Sequence, residues 1–164
     1  MFSTLDISTS GLRAERIRLN LIANNIANAN STRDAFGNRH AYQRKLAVFE
    51  ATGAGVDVPE IVESDEAPRL AYEPGHPDAL RFTDFFKLDA AGNPTRERRN
   101  EYAALDEQAF NRLVDSRIGY VEYPNVDPVR EMADAMLASR AYEANAAVMN
   151  VTKTMIAQSL RIIA

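Results

Sequence analysis

The residues of this sequence that could do chemistry are few. The two histidines, His40 and His76, lie in loop-like stretches without partners at metal-ligand spacing, whereas a structural zinc site needs four nitrogen or sulfur ligands. No cysteine is present, which excludes disulfides and thiol nucleophiles. Phosphate-binding loops, nucleophile elbows and dinucleotide fingerprints are also missing. We therefore expect no metal, no cofactor and no catalytic residue.

An acidic run is the remaining candidate for catalysis. A carboxylate pair of a glycosidase would need an enclosed cleft that raises the pKa of one partner. A proline-containing acidic loop is more often a solvated surface, and we interpret the run in that way. Its members are Glu60, Glu63, Asp65 and Glu66.

Amides are concentrated near the end of the first predicted helix. Asparagine is a mediocre helix former, because its side chain competes for backbone hydrogen bonds. Two interpretations stay open: buried amides that fix helix register, which we favour for Asn24 and Asn25, and local capping, which is equally plausible for Asn28 and Asn30. The five residues are Asn20, Asn24, Asn25, Asn28 and Asn30.

The elements that must position these residues are two long terminal helices. Apolar residues recur every seven positions from Leu5 to Ile26, and again along the segment that follows Asp127, a good N-cap, and Pro128. A helix from Pro128 to Ala164 would be about 55 Å long, whereas a compact chain of this size is about 40 Å across. Each helix is apolar on two faces, so the pattern indicates either an intramolecular helical hairpin or a core completed by assembly.

Composition narrows the class of protein. With 164 residues, 46% hydrophobic and 26% charged, the chain is typical of one globular domain or a small domain with extensions. Its net charge of -4 argues against nucleic-acid binding. No apolar run is long enough to span a membrane, and the N-terminus lacks a Sec signal. The sequence thus predicts a cytosolic protein or one exported by another route.

The pattern in the middle of the chain predicts short strands. Residues 40–51, 53–64 and 67–79 each predict one, separated by glycines and prolines. Residues 81–118 predict a hairpin around Gly92-Asn93-Pro94, followed by a helix with Tyr102, Leu105, Ala109 and Leu113 at helical spacing.

Parts of the sequence resemble a known protein family. The stretch "DISTSGLRAERIRLNLIANNIANANSTR", residues 6–33, resembles the N-terminal signature of bacterial flagellar axial proteins, the rod and hook group. The blocks "EIVESDEAPRLAYEPGHPDA" and "GYVEYPNVDPVREMADAMLASRAYEANAAVMNVTKTMIAQSLRI" are similar to the part of that group that builds the proximal rod. Residues 81–118 stand where that group has only a few residues.

The resemblance implies an α+β fold in which the terminal helices, 1–30 and 127–164, pair as a coiled coil. Residues 31–80 and 119–126 would form a small β-rich middle part, and residues 81–118 an inserted hairpin and helix block. It also implies a structural subunit of the proximal rod, which is exported through the flagellar type III apparatus to the cell envelope and transmits torque to the hook.

The implied partners are copies of the chain, other rod proteins, the export apparatus and a surrounding bushing ring, without nucleic acid or membrane insertion. Contacts between subunits would use both terminal helices. The predicted interface residues are Leu5, Leu12, Leu19, Ile22, Asn24, Asn25, Ile26, Asn28, Leu137, Tyr142, Val148, Met149, Val151, Met155, Ile156, Leu160 and Ile163.

Two other functions compete with this prediction. The inserted block could degrade peptidoglycan, with Glu97, Glu101 or Asp106 as the catalytic carboxylates. Alternatively, the chain could be an assembly adaptor of the export pathway that binds other helices transiently.

Overall fold

In the order of the chain, two long helices flank a series of short strands in the computed structural model, which describes residues 2–34, 36–89 and 93–163, without the side chains of residues 2, 3, 96, 162 and 163. Helix α1 spans Phe2–Ala27, and helix α3 spans Pro128–Ile163. Between them lie strands β1 (Lys45–Thr52), β2 (Gly55–Glu63), β3 (Arg69–Tyr72), β4 (Phe86–Leu88) and β5 (Pro94–Arg98), helix α2 (Glu107–Arg117) and strand β6 (Tyr120–Tyr123).

The described strands form three separate antiparallel pairs, β1–β2, β3–β6 and β4–β5. The three short strands predicted from residues 40–79 are confirmed, each somewhat shorter than its stretch. Because α1 and α3 are in contact and the strands lie between them in the chain, the predicted α+β class with long terminal helices is confirmed. Gly92 of the predicted β4–β5 turn lies outside the described residues.

Helix α3 begins where the sequence predicted, whereas helix α2 begins later than predicted. Asp127 Oδ1 accepts a hydrogen bond from the Val129 N–H at 2.9 Å, so Asp127 caps α3 as predicted. Helix α2 begins at Glu107, six residues after the start of the predicted stretch. The start was predicted too early, because the chain before Asp106 turns as a short 3-10 helix instead of continuing the α-helix. The buried residues of α2 are Phe110 and Val114.

The chain divides into two compact units. The first, called the helix unit here, comprises residues 1–30, 43–67 and 124–164, and therefore contains α1, α3 and the β1–β2 hairpin. The second, called the sheet unit, comprises residues 31–42 and 68–123.

An aromatic cluster forms the core of the sheet unit. The rings of Phe85 and Phe110 meet edge to face with centroids 6.5 Å apart, and Val114 is buried beside them. The guanidinium of Arg98 lies 4.1 Å from the centre of the Phe110 ring and donates to the Leu105 carbonyl at 3.0 Å. Residues 81–118 thus contribute their own apolar core.

The two ends of residues 81–118 are held close together within the sheet unit. The Leu80 N–H donates to the Tyr120 carbonyl at 2.8 Å, and the Gly119 N–H donates to the Leu80 carbonyl at 2.9 Å. Gly119 has a φ of +80°, a conformation that L-residues with a side chain rarely adopt. This closed base is the geometry expected of an inserted block, and the insertion relative to the family stays a prediction.

Candidate assembly interface

The predicted subunit-interface residues lie on or next to the two terminal helices, which pack against each other as antiparallel neighbours. Thr9 Oγ1 lies 4.0 Å from Met149 Sδ, and Arg18 Nη2 lies 3.8 Å from Asp134 Oδ1. A β-carbon built on Gly11 would come within 2.9 Å of Asn145 Nδ2. Because Gly11 has no side chain, Asn145 of α3 can lie close to the backbone of α1 at this position.

The β1–β2 hairpin covers another face of α1. The Val56 N–H donates to Ser10 Oγ at 3.0 Å near one end of the hairpin. At the other end, the Lys45 N–H donates to Asn25 Oδ1 at 2.9 Å. Helix α1 is thus in contact both with α3 and with the hairpin of its own chain.

A buried polar cluster ties α1, α3 and the start of β1 together. Asn25 Nδ2 donates to the Lys45 carbonyl at 3.0 Å and to Glu131 Oε2 at 3.1 Å. Arg44 Nε donates to the other carboxylate oxygen of Glu131 at 2.6 Å. Asn25 and Glu131 are each only 1% exposed. Asn25 was among the predicted interface residues, whereas Arg44 and Glu131 were not, because nothing local in the sequence predicts that these residues meet.

The other asparagines have different surroundings. Asn28 Nδ2 donates to the Asn24 carbonyl at 2.9 Å, a local bond at the end of α1 of the kind expected for capping. The Asn24 side chain itself is exposed, as is that of Asn30. Asn25 is therefore the amide that α1 buries within its own chain, one residue away from an exposed one.

Helix α3 is covered on one side. Ala138 is buried and Met149 half-buried towards α1, whereas large apolar side chains on a neighbouring face are more than half exposed. Residues three, four or seven apart share a helix face, so the exposed apolar side chains at these spacings lie in one row. We call this row the α3 stripe; it consists of Leu137, Ala144, Val148, Val151 and Met155.

The predicted interface residues fall into three groups by exposure. Two are buried inside the chain, Ile22 and Asn25. The half-buried ones are Leu5, Leu12, Leu19, Ile26, Asn28, Met149 and Ile156. The exposed ones are Asn24, Leu137, Tyr142, Val148, Val151, Met155 and Leu160. The side chain of Ile163 lies outside the described residues. Their assignment to contacts between subunits stays a prediction.

The carboxylates considered for catalysis are spread over the surface. Glu60, Glu63, Asp65 and Glu66 are exposed, and so are Glu97, Glu101 and Asp106. Within the part of the chain that the structure describes, no group of three acidic or histidine side chains could hold a metal ion. None of the described helices is long and apolar enough to cross a lipid bilayer.

Comparison with known proteins identifies the family. Residues 5–33 match the family described as flagella basal body rod protein, and residues 117–162 match the C-terminal part described for the flagellar basal body rod FlgEFG proteins. These matches cover most of α1 and nearly all of α3.

Full-length relatives agree with these matches. The flagellar basal-body rod protein FlgC of Borreliella burgdorferi is 32% identical, over 99% of this chain and 97% of the relative. The FlgC proteins of Salmonella typhimurium and Bacillus subtilis are 33% and 29% identical, over 98% of this chain and 96% and 97% of the relatives. The chain therefore belongs to the FlgC family of flagellar basal-body rod proteins, whose members are structural and not enzymatic.

Proposed function

We propose that the chain polymerises through its terminal helices into the proximal rod, the drive shaft that carries torque from the motor to the hook. The observation that carries this proposal is the α3 stripe. An isolated soluble subunit rarely leaves so long a row of large apolar side chains in water, and such a row marks a contact surface.

The contact would be formed mainly by α3. Helix α1 is covered by α3 on one face and by the β1–β2 hairpin on another, so it offers less apolar surface to a neighbour. A stripe on one subunit that meets a different surface on the next makes a head-to-tail contact, and repetition of such a contact builds a helical assembly. The buried and half-buried interface residues would then support the helix pair, and the exposed ones would touch neighbours.

The partners that fit this role are copies of the chain and other rod proteins, all of which would present paired helices. The subunit would reach the cell envelope through the flagellar type III export apparatus. Residues 81–118, with their closed base and their own aromatic core, would alter the contacts with neighbouring rod subunits, and a bushing ring is a further candidate partner.

The experiment replaces two residues of the α3 stripe, Leu137→Asp together with Val151→Asp, in a strain that lacks the native gene. A buried charge in an apolar contact is costly, so we expect an exported protein that does not enter rods, and cells that do not swim. The matched control, Glu143→Lys, changes the charge of an exposed polar residue of the same helix and should leave motility intact. Normal rods in the stripe variant would refute the proposal.

A further inference from the structure

The apolar contacts between α1 and α3 do not by themselves define how the helices are aligned along their axes. In α1, Leu5, Leu12, Leu19 and Ile26 repeat every seven residues, and in α3 the same spacing relates Tyr142, Met149 and Ile156. A slide of seven residues, about 10 Å, would therefore place leucines against equivalent apolar positions again.

The buried polar cluster removes this ambiguity. We propose that Asn25, Glu131 and Arg44 form a register clasp, which sets the axial position of α3 against α1 and hence the part of α3 that projects beyond its partner. Among the described side chains, Asn25 is the buried asparagine of α1 and Glu131 the buried glutamate of α3, so the clasp can close in one alignment.

Asparagine fits this position for a stereochemical reason. Its amide oxygen accepts from the Lys45 N–H, and its amide nitrogen donates both to the Lys45 carbonyl and to Glu131. Aspartate offers no donor and would place a second carboxylate against Glu131. Leucine makes none of the three bonds and leaves the Lys45 backbone and one oxygen of Glu131 without them.

The ion pair extends the clasp to a third element. Arg44 precedes β1, is 12% exposed, and bonds Glu131 while its Nη2 lies 3.5 Å from Asp134 Oδ2. A slide of α3 would withdraw Glu131 from both Asn25 and Arg44 and leave a buried charge unpaired. Buried polar groups that specify register in paired helices act in this way.

The alignment has a consequence for assembly. Gly11 lies beside Asn145, and Asn25 beside Glu131, so each step forward along α1 corresponds to one step backward along α3. The start of α1 therefore lies opposite α3 near Thr154. Helix α3 therefore extends roughly 14 Å past the start of α1. A seven-residue slide would nearly double or nearly abolish this overhang. The assembly consequence rests on the proposed function, whereas the alignment itself does not.

Cysteine crosslinking can measure the alignment, because the chain has no native cysteine. Thr9→Cys is combined with Met149→Cys to report the native alignment, or with Tyr142→Cys or Ile156→Cys to report a slide of seven residues in either direction. With Asn25 intact, we expect the disulfide in the pair 9 and 149 alone. In an Asn25→Leu background, the yield of that pair should fall to about one third, and the other two pairs should become oxidised.

Asn24→Leu is the matched control, since Asn24 is the adjacent amide and is exposed; it should leave the crosslinks unchanged. Should Asn25→Leu fail to fold, Glu131→Gln keeps the shape of the clasp, weakens its bond to Arg44 and should give a smaller shift in the same direction. Persistence of the single native crosslink in folded Asn25→Leu and Glu131→Gln proteins would overturn the clasp.

An assembly assay then distinguishes a role of Asn25 in aligning the helices from a general loss of stability. The Asn25→Leu protein should assemble less than the wild type, because only part of its molecules keep the native alignment, and oxidation of its Thr9→Cys, Met149→Cys pair should restore assembly by holding that alignment. Failure of this rescue in a folded, oxidised protein would overturn the link between alignment and assembly. If stripe variants assemble normally while the crosslinks shift as expected, the proposed function fails and the clasp stands.

Discussion

Replacing Val148 by aspartate should block assembly while leaving the isolated subunit folded, and replacing the adjacent Met149 should unfold the helix pair. The two side chains lie about 100° apart on α3. Val148 belongs to the α3 stripe and is 52% exposed, whereas Met149 is half-buried and its sulfur lies 4.0 Å from Thr9 Oγ1 in α1. Similar chemistry at neighbouring positions thus tests two different contacts.

The magnitudes follow from the burial of each side chain. In the isolated chain, Val148→Asp changes an exposed site and should alter the free energy of unfolding by less than about 0.5 kcal/mol. In an assembled contact it would forgo the burial of half a valine, about 1 kcal/mol, and desolvate a carboxylate at about 3 kcal/mol. A loss of about 4 kcal/mol weakens association by roughly a thousandfold. Met149→Asp should destabilise the isolated chain by about 3 kcal/mol, because the charge enters the α1–α3 contact.

The assay compares thermal unfolding of the purified chains by circular dichroism with incorporation into isolated basal bodies. Asn150→Asp is the control, since it adds the same charge at an exposed polar position of α3. The reasoning is wrong if Val148→Asp lowers the unfolding temperature as much as Met149→Asp does, because the stripe would then be packed within the subunit. It is also wrong if Val148→Asp proteins enter rods at the wild-type level.

Two further predictions concern the sheet unit. The hydrogen bond from the Arg33 guanidinium, at 2.8 Å, holds the pKa of the buried Asp78 carboxyl below its ordinary value of 3.8. A carboxyl whose pKa is lower in the folded than in the unfolded chain stabilises the folded state above the unfolded pKa, and this stability is lost as the pH falls through the folded pKa. The denaturant midpoint of the wild type should therefore drop below about pH 4, and Asp78→Asn should make that drop smaller. An equal dependence of the midpoint on pH in both proteins would contradict the assignment. Gly119→Ala should lower the free energy of unfolding by about 1–2 kcal/mol, because the residue has a positive φ and the new β-carbon would lie 2.9 Å from the Tyr72 ring. Urea unfolding followed by tyrosine emission measures this change, with Gly75→Ala, where nothing lies within 4 Å of the built β-carbon, as the control. Equal urea midpoints for the two variants would count against the strain at Gly119.

Local patterns predicted the elements well because their causes are local. The N-cap bond of Asp127 and the proline after it start α3 where the sequence indicated, and the strand stretches between residues 40 and 79 appear in order. The start of α2 was predicted too early. Tyr102 and Leu105 have helical spacing, but they reach the aromatic core from a 3-10 turn and the link that follows it.

The sequence by itself determined that two long, doubly apolar helices flank a β-rich middle, and it carried the resemblance that identified the family. Periodicity shows which side chains share a face, but it does not show what covers that face. Only the tertiary structure decided that the hairpin covers α1, that Asn25 rather than Asn24 is buried, and that the α3 stripe stays exposed. These outcomes depend on contacts such as that between Asn25 and Glu131, more than a hundred residues apart, and no local pattern encodes such a pairing.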